Sequence, residues 1–435
     1  MKIFEIKKQI TAGLFSLEES EFYKFLDISR TNNLEVAEVA KEIIAKTKKD
    51  GDEALVEYCN KFDGCAFGKA KDFVVSQKEI DLAEKNISKT VYEALQMAYE
   101  RIYSYHKKQM PKDLLYKDKQ GVELGNIWRA VQSVGVYAPG GTAFYPSSVL
   151  MSAVPAIVAG SREIKLCVPS RSGKLNDAIL VAAKICGISE IYKIGGAQAI
   201  AALAYGTNII KKVDKIVGPG NSYVAMAKKI LYGEVGIDMI AGPTDITIIC
   251  DDDNDASWIA ADALSQLEHS TDSKAFIITD SRDFAEEVSA EIRELCKKLP
   301  RKKIIEKSLE NSAIFLIDDI EQSVHIANEI APEHLEISCK KSKDLLKKIN
   351  NAGAIFLGKY TPESIGDYMA GPSHTLPTQG TAKFASGLSV YDFLKRISLI
   401  SCNKKSFEKL SQATSILATC EGLEAHKLSI DIRKK

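Results

Sequence analysis

Four short stretches of the chain gather residue types that can do chemistry. Gln266-Leu267-Glu268-His269 holds an amide and an imidazole three residues apart, on one face of a helix that Asp255 can cap. Those two groups can bind a divalent cation, although glutamine is an uncommon ligand and the fragment taken alone reads first as a solvated helix end. In Pro332-Glu333-His334 a carboxylate stands beside an imidazole just before an apolar run. The proline ends the helix ahead of it and turns the backbone extended. The pair behind it can act as acid and base, and a surface Glu-His pair fits equally. Gly366-Asp367-Tyr368 and Gly371-Pro372-Ser373-His374 form a loop, the kind of segment on which a rigid scaffold holds ligand-binding groups. Glu421-Gly422-Leu423-Glu424-Ala425-His426 adds carboxylates and an imidazole near the C-terminus. Four of the six histidines (His269, His334, His374 and His426) fall in these stretches, which points to a shared site without proving that they converge.

Three glycine-rich turns carry a second kind of chemistry. Val136-Tyr137-Ala138-Pro139-Gly140-Gly141, Ile194-Gly195-Gly196-Ala197-Gln198 and Val217-Gly218-Pro219-Gly220-Asn221 each follow an apolar run and lead into a helix. Glycine lets backbone approach a ligand closely and a helix N-terminus favours phosphate, so three such turns in one unit mark a nucleotide crevice. None is GxGxxG, and no acidic residue stands at the usual offset for a ribose. Each taken alone is also an ordinary strand-to-helix turn.

These groups need a scaffold, and the chain patterns one. From Ser133 onward, strand-like runs at 133–138, 164–168, 191–194 and 215–217 alternate with helical stretches at 147–159, 178–186, 198–204 and 222–231. A second series follows, with strands at 246–250, 275–279, 313–317, 335–338 and 354–357 between helices at 255–268, 282–299, 321–330 and 342–350. Strands alternating with helices predict parallel sheets covered on both faces. The expected fold is therefore α/β, with two tandem Rossmann-like parallel-sheet domains and helical N- and C-terminal extensions. Residues up to about 130 read as helical scaffold, with amphipathic helices at 34–45 and 80–105, and the chain after Tyr391 reads as helical and polar.

Bulk composition removes several function classes. Of 435 residues, 45% are apolar and 27% charged, with 58 basic and 58 acidic side chains, so no net field favours nucleic acid or an acidic membrane. The N-terminus mixes charge with apolar residues and lacks the apolar core of a signal peptide. No apolar run is long enough for a bilayer, which gives a cytoplasmic expectation. The nine cysteines are odd in number, form no CxxC pair and mostly lie in apolar stretches, so they read as buried thiols with no disulfide needed.

As a set, the motifs resemble the histidinol dehydrogenase family. The three glycine turns, Ala241-Gly242-Pro243-Thr244, Gln266–His269, Ala331-Pro332-Glu333-His334, Gly366–Tyr368, His374-Thr375-Leu376-Pro377-Thr378 and Glu421–His426 occur in the family's order from about residue 130 to the end. The resemblance implies an enzyme that oxidises L-histidinol through histidinal to L-histidine with two NAD, the final step of histidine biosynthesis. It implies one Zn2+ per subunit, bound by Gln266, His269, Asp367 and His426 and holding the substrate's imidazole and amine. Glu333 and His334 match the acid–base positions, His334 for the alcohol proton and Glu333 for activating water onto the aldehyde. Thr244, His374 and Glu421 match further substrate contacts, and Tyr137, Gln198 and Asn221 match NAD contacts. Thr244 departs from the serine common at its position. The resemblance also implies a homodimer in which the C-terminal tail reaches the partner's site, so that His426 completes a neighbour's metal site.

The expected division is a helical extension over 1–32, a first α/β domain from 33–136 plus 245–388 with the catalytic and most metal residues, an NAD-binding domain over 137–244, and a helical tail over 389–435. Other readings share parts of the pattern. A related zinc- and NAD-dependent dehydrogenase of another amino alcohol or a sulfonated diol keeps the metal set. A sulfonate, however, calls for a cationic or small polar residue where Glu421 offers a carboxylate to an ammonium. A zinc hydrolase has no use for Tyr137, Gln198 and Asn221 in glycine turns, and a non-catalytic binding protein has none for an acid–base pair.

Overall fold

Runs such as Asp245–Cys250 and Lys274–Thr279 are buried along their whole length, the mark of central strands in a parallel sheet. In the computed structural model, which describes residues 1–6, 34–140 and 144–434, both lie inside a six-stranded parallel sheet. Its order is 2–5, 313–316, 274–279, 245–250, 334–338, 354–357. Helices Ala256–Leu267 and Arg282–Cys296 cover one face and Ser323–Ile330 the other. A five-stranded parallel sheet forms the second unit, in the order 190–192, 163–167, 133–137, 215–217, 236–237. In its strands Val134 and Val136 enter one core layer and Tyr137 the other, as the two-residue period of a strand requires.

Both sheets are wound alike. Leaving aside the edge strand 2–5, the first strand of each sheet in chain order is central, the second and third lie to one side and the fourth and fifth to the other, the Rossmann order. The expected pair of parallel α/β units is present.

Local patterning misplaced four pieces. Where a helical extension is expected over 1–32, Lys2–Glu5 is a parallel edge strand beside Ala313–Leu316, with Ile3 packing on one face and Phe4 on the other. Residues 7–32 of that expectation lie outside the described residues. Residues 33–136, expected with 245–388, touch that stretch through Arg101, which donates to the Met369 carbonyl, and also pack on the five-stranded unit. Ser133–Tyr137 is the central strand of the five-stranded sheet, Leu34–Asp50 packs on helices Gly196–Tyr205 and Ser222–Leu231, and Lys89–Gln109 packs on Pro146–Ala159. An amphipathic stripe shows that a helix must be buried, not against which layer. Finally, Leu114–Lys117 and Glu123–Ala130 are strands where helical scaffold is expected, and Leu394–Ser401 is a strand where a helical tail is expected. The three form an antiparallel sheet with 123–130 in the middle. Its key pairing joins segments far apart in the chain, which no local period reveals.

Helices Lys404–Cys420 and Glu424–Asp431 pack on each other beyond this small sheet. Six of the nine cysteines are buried, as expected. Among the described residues no helix is long and apolar enough to cross a membrane.

Candidate active site

Two neighbouring inner strands of the six-stranded sheet begin with reactive side chains. Thr244 and Asp245 stand at the amino end of one, Glu333 and His334 at the amino end of its neighbour. Ala331 ends the preceding helix in left-handed backbone (φ 50°), and Pro332 then directs the chain into the strand. The two strand starts lock together: the Asp245 N–H donates to Glu333 Oε2 (3.3 Å) and the Glu333 N–H to Asp245 Oδ2 (3.2 Å). Thr244 Oγ1 donates to the same Glu333 oxygen (2.5 Å) and accepts from Gln266 Nε2. That last bond fixes the amide. Gln266 Oε1 is left buried with no hydrogen-bond partner among the described residues, an acceptor that only a cation or a donor can satisfy. The helix that delivers Gln266, Ala256–Leu267, is capped by Asp255, which accepts from the Ser257 N–H (2.8 Å), and His269 follows just past its end.

His334 is held in one tautomer. Its Nδ1 lies 3.2 Å from the Asp245 carbonyl oxygen, which can only accept, so Nδ1 carries the proton and Nε2 keeps its lone pair. Nε2 is buried without a hydrogen bond, 3.8 Å from Glu363 Oε1 and 3.9 Å from Asp367 Oδ1. These three residues present ligand atoms within 4.8 Å of one another. Asp367 sits in the short helix Glu363–Tyr368, and its carbonyl accepts from His374 Nδ1 (3.1 Å), which aims the other ring nitrogen at Ser148 Oγ (3.2 Å). Thr244, Gln266, His269, Glu333, His334, Asp367 and His374 thus line one cavity of about 210 Å³, whose wall also includes Pro139, Pro219 and Gly220 from the other unit.

Burial governs the charges. It holds the His334 imidazolium down to about 3 and that of His374 down to about 4, so both rings are neutral. It also lifts Glu333 well above the usual carboxylate range, with Asp245 adding repulsion. Burial raises Asp367 to about 6 and, with Asp367 beside it, Glu363 to about 9. A buried lining that holds Glu333 and Asp367 and, among the described residues, no lysine or arginine is stabilised by protons or by a bound cation.

Two expected site residues are elsewhere. Glu421 and His426 are exposed on the C-terminal helices and line no part of this cavity.

The glycine turns meet at the carboxyl ends of the five-stranded sheet, beside the point where its strand order reverses. They border a cleft of about 780 Å³ whose lining includes Tyr137, Gly140, Gly196, Gln198 and Asn221; Gly141 lies outside the described residues. Tyr137 OH accepts from the Gly196 N–H (3.2 Å), and Asn221 Oδ1 caps helix Ser222–Leu231 through Tyr223 N and Val224 N (3.1 Å each). Gly218 has φ 112°, and a Cβ there would fall 2.0 Å from the Tyr137 carbonyl oxygen, so only glycine fits. Lys228 Nζ donates to the Gly218 carbonyl (3.0 Å), Asp238 accepts its N–H (2.8 Å), and the two buried side chains form an ion pair.

Sequence reasoning missed Glu363, Asp245 and the Lys228–Asp238 clamp. Glu363 offers no motif, only a carboxylate after Pro362. Lys228 sits at an ordinary position of an amphipathic helix, where lysine reads as solvated.

The comparisons with known proteins bear on this geometry. A sequence model of the family described as histidinol dehydrogenase matches residues 27–434. A histidinol dehydrogenase from Agrobacterium fabrum is 47% identical over 416 residues, 95% of this chain and 96% of that one. One from Hydrogenovibrio crunogenus is 45% identical over 418 residues, 96% of each. The crystal structure of histidinol dehydrogenase from Elizabethkingia anophelis superposes with a TM-score of 0.92 at 34% identity, covering 100% of this chain and 98% of that one. Fold and site therefore define an α/β oxidoreductase that acts on a small molecule. The chain belongs to the histidinol dehydrogenase family.

Proposed function

We propose that the protein oxidises L-histidinol to L-histidine by way of histidinal, transferring four electrons as two hydrides to two NAD, as the last step of histidine biosynthesis in the cytoplasm. The observation that carries the reading is a pair of buried acceptors, Gln266 Oε1 and His334 Nε2, that no hydrogen bond satisfies beside the Asp367 carboxylate. Neutral imidazoles, an amide oxygen and a carboxylate suit zinc, so Gln266, His269 and Asp367 would hold one Zn2+ per subunit. His426 would come from the partner of a homodimer, since within one chain it is exposed and outside the cavity. When bound, the metal supplies positive charge that anchors the substrate's imidazole and amine, and NAD supplies the hydride acceptor.

The chain's own residues do the proton work. His334 Nε2, unprotonated because Nδ1 donates to the Asp245 carbonyl, takes the hydroxyl proton as hydride leaves the carbinol carbon. Glu333 then takes a proton from the water that adds to the aldehyde carbon. Once His334 has returned its first proton to solvent, the hydrate loses the second hydride and becomes the carboxylate, with its hydroxyl proton passing to the again neutral His334. Thr244 and the Asp245 N–H steer Glu333 and favour its carboxylate form. Thr244, His374 and the partner's Glu421 complete the substrate contacts, the last by meeting the substrate ammonium, while Tyr137, Gln198 and Asn221, which line the larger cleft, contact NAD.

NADH counted against L-histidinol consumed tests this directly in zinc-loaded protein. Two NADH per substrate is the expected result, and Glu333→Gln should slow aldehyde oxidation about 100- to 10,000-fold, leaving about one. No NADH from histidinol in protein shown to hold zinc overturns the assignment.

A further inference from the structure

We infer that Asp63 accepts the hydroxyl hydrogens of the cofactor's adenosine ribose and so selects NAD over its 2′-phosphorylated form, an inference that rests on the NAD reading above. No acidic residue follows the first glycine turn at the offset a ribose usually needs. The fold supplies one from the other direction. Asp63 is the residue just past helix Asp52–Phe62, and with Gly64 it lines the same cleft as Tyr137, Gly196 and Gln198. Its backbone is pinned on both sides, its N–H donating to the Cys59 carbonyl (3.0 Å) and its carbonyl accepting from the Ser172 N–H (3.3 Å). Its side chain is not: Oδ2 is buried and has no hydrogen-bond partner among the described residues. Burial alone lifts its carboxyl to about 6, with no cation offsetting the loss of water. Arg171, on the same lining, is exposed and forms no ion pair with it among the described residues.

A half-buried carboxylate with a buried, unbonded oxygen on the wall of a nucleotide cleft needs donors. A dinucleotide offers them at its ribose diols, since the phosphates repel a carboxylate and find amide donors at the glycine turns instead. Which ribose it is follows from direction. The nicotinamide must reach His334, whose cavity is lined by Pro139 and Gly220, the chain neighbours of Gly140 and Asn221 on the larger cleft. Asp63 lies among Val39, Ile43 and Phe62, residues that line only the larger cleft. Their apolar side chains suit the flat face of adenine, and Asp63 stands beside them for the attached diol. A phosphate on the 2′-oxygen would remove one donor and add about two negative charges against a partly desolvated carboxylate.

Calorimetric titration of the protein with ADP-ribose and with 2′-phospho-ADP-ribose tests this without turnover. Wild-type protein should bind ADP-ribose at least about tenfold more tightly than the phosphorylated ligand. Asp63→Asn, an isosteric change, should weaken ADP-ribose about tenfold, and Asp63→Ser should narrow the preference toward unity. Equal wild-type affinity for the two ligands overturns the inference, and so does an Asp63→Asn protein, melting like wild type, that binds ADP-ribose unchanged. Both results leave the NAD reading standing. Wild-type protein that binds neither ADP-ribose nor NAD overturns the NAD reading itself, and the role of Asp63 with it. Should neither variant fold, the two wild-type affinities decide alone.

Discussion

Glu333 and His334 are adjacent, yet both reach one cavity, although successive strand residues point to opposite faces. They can because the strand begins only at His334, and Glu333 still lies in the turn that Pro332 forces. That a carboxylate and an imidazole stand side by side was legible from this dipeptide. The groups that tune it were not: the Asp245 carbonyl sets the His334 tautomer, and Thr244 steers Glu333 through contacts some 90 positions away. Thr244 is the residue on which the network is most exposed to test. Thr244→Ser keeps the hydroxyl and should hold kcat and thermal stability near wild type. Thr244→Val leaves Glu333 without its side-chain donor and Gln266 Nε2 without an acceptor, and should cost about 1–3 kcal/mol in chemical unfolding along with a raised KM for histidinol.

At the scale of elements, the glycine turns were visible as punctuation, but what holds them was not. Gly218 is obligatory because of the Tyr137 carbonyl on the next strand, and it is clamped by Lys228 from a helix and Asp238 from a later segment. Lysine at a helical position is normally solvated, so burial of this one follows only from the packing of Ser222–Leu231 onto its sheet. Lys228→Met should destabilise the protein by about 3–5 kcal/mol, since it strands the buried Asp238 charge, and denaturant titration would read this. The double change with Asp238→Asn should recover part of the loss.

The whole molecule sets the two sheets end to end. The carboxyl ends of the five-stranded sheet, where Rossmann units bind nucleotides, face the amino ends of the six-stranded sheet, where the acid–base pair begins. Gln266 and His269 come from a helix end and Asp367 from the short helix Glu363–Tyr368, with the core built elsewhere, so a metal held by them should be removable without unfolding. Chelator treatment should abolish turnover while ADP-ribose still binds in the cleft. The exposed Glu421 and His426 lie on helices that also leave Ile416, Leu417 and Leu428 exposed, apolar surface suited to a partner. Mixing Glu333→Gln chains, which stop at about one NADH per substrate, with inactive His426→Asn chains should then restore the second NADH, because each mixed dimer regains one site with both residues intact. Absence of recovery in verified mixed dimers would remove the shared-site reading.

The sequence by itself determined the pair of α/β units, through runs and periods that depend on neighbours within about one turn or strand. It also determined the residue types of the site, because a catalytic pair, a helical amide–imidazole spacing and glycine turns are local patterns. Tertiary structure alone decided what those patterns meet. The edge strand Lys2–Glu5, the antiparallel pairing of Glu123–Ala130 with Leu394–Ser401, the attachment of residues 34–109 to the five-stranded sheet, and the arrival of Glu363 and Asp63 at two different cavities all depend on contacts between distant segments. Such contacts are chosen by which apolar faces can be buried together and which buried carboxyls find a partner, and neither is written in local spacing.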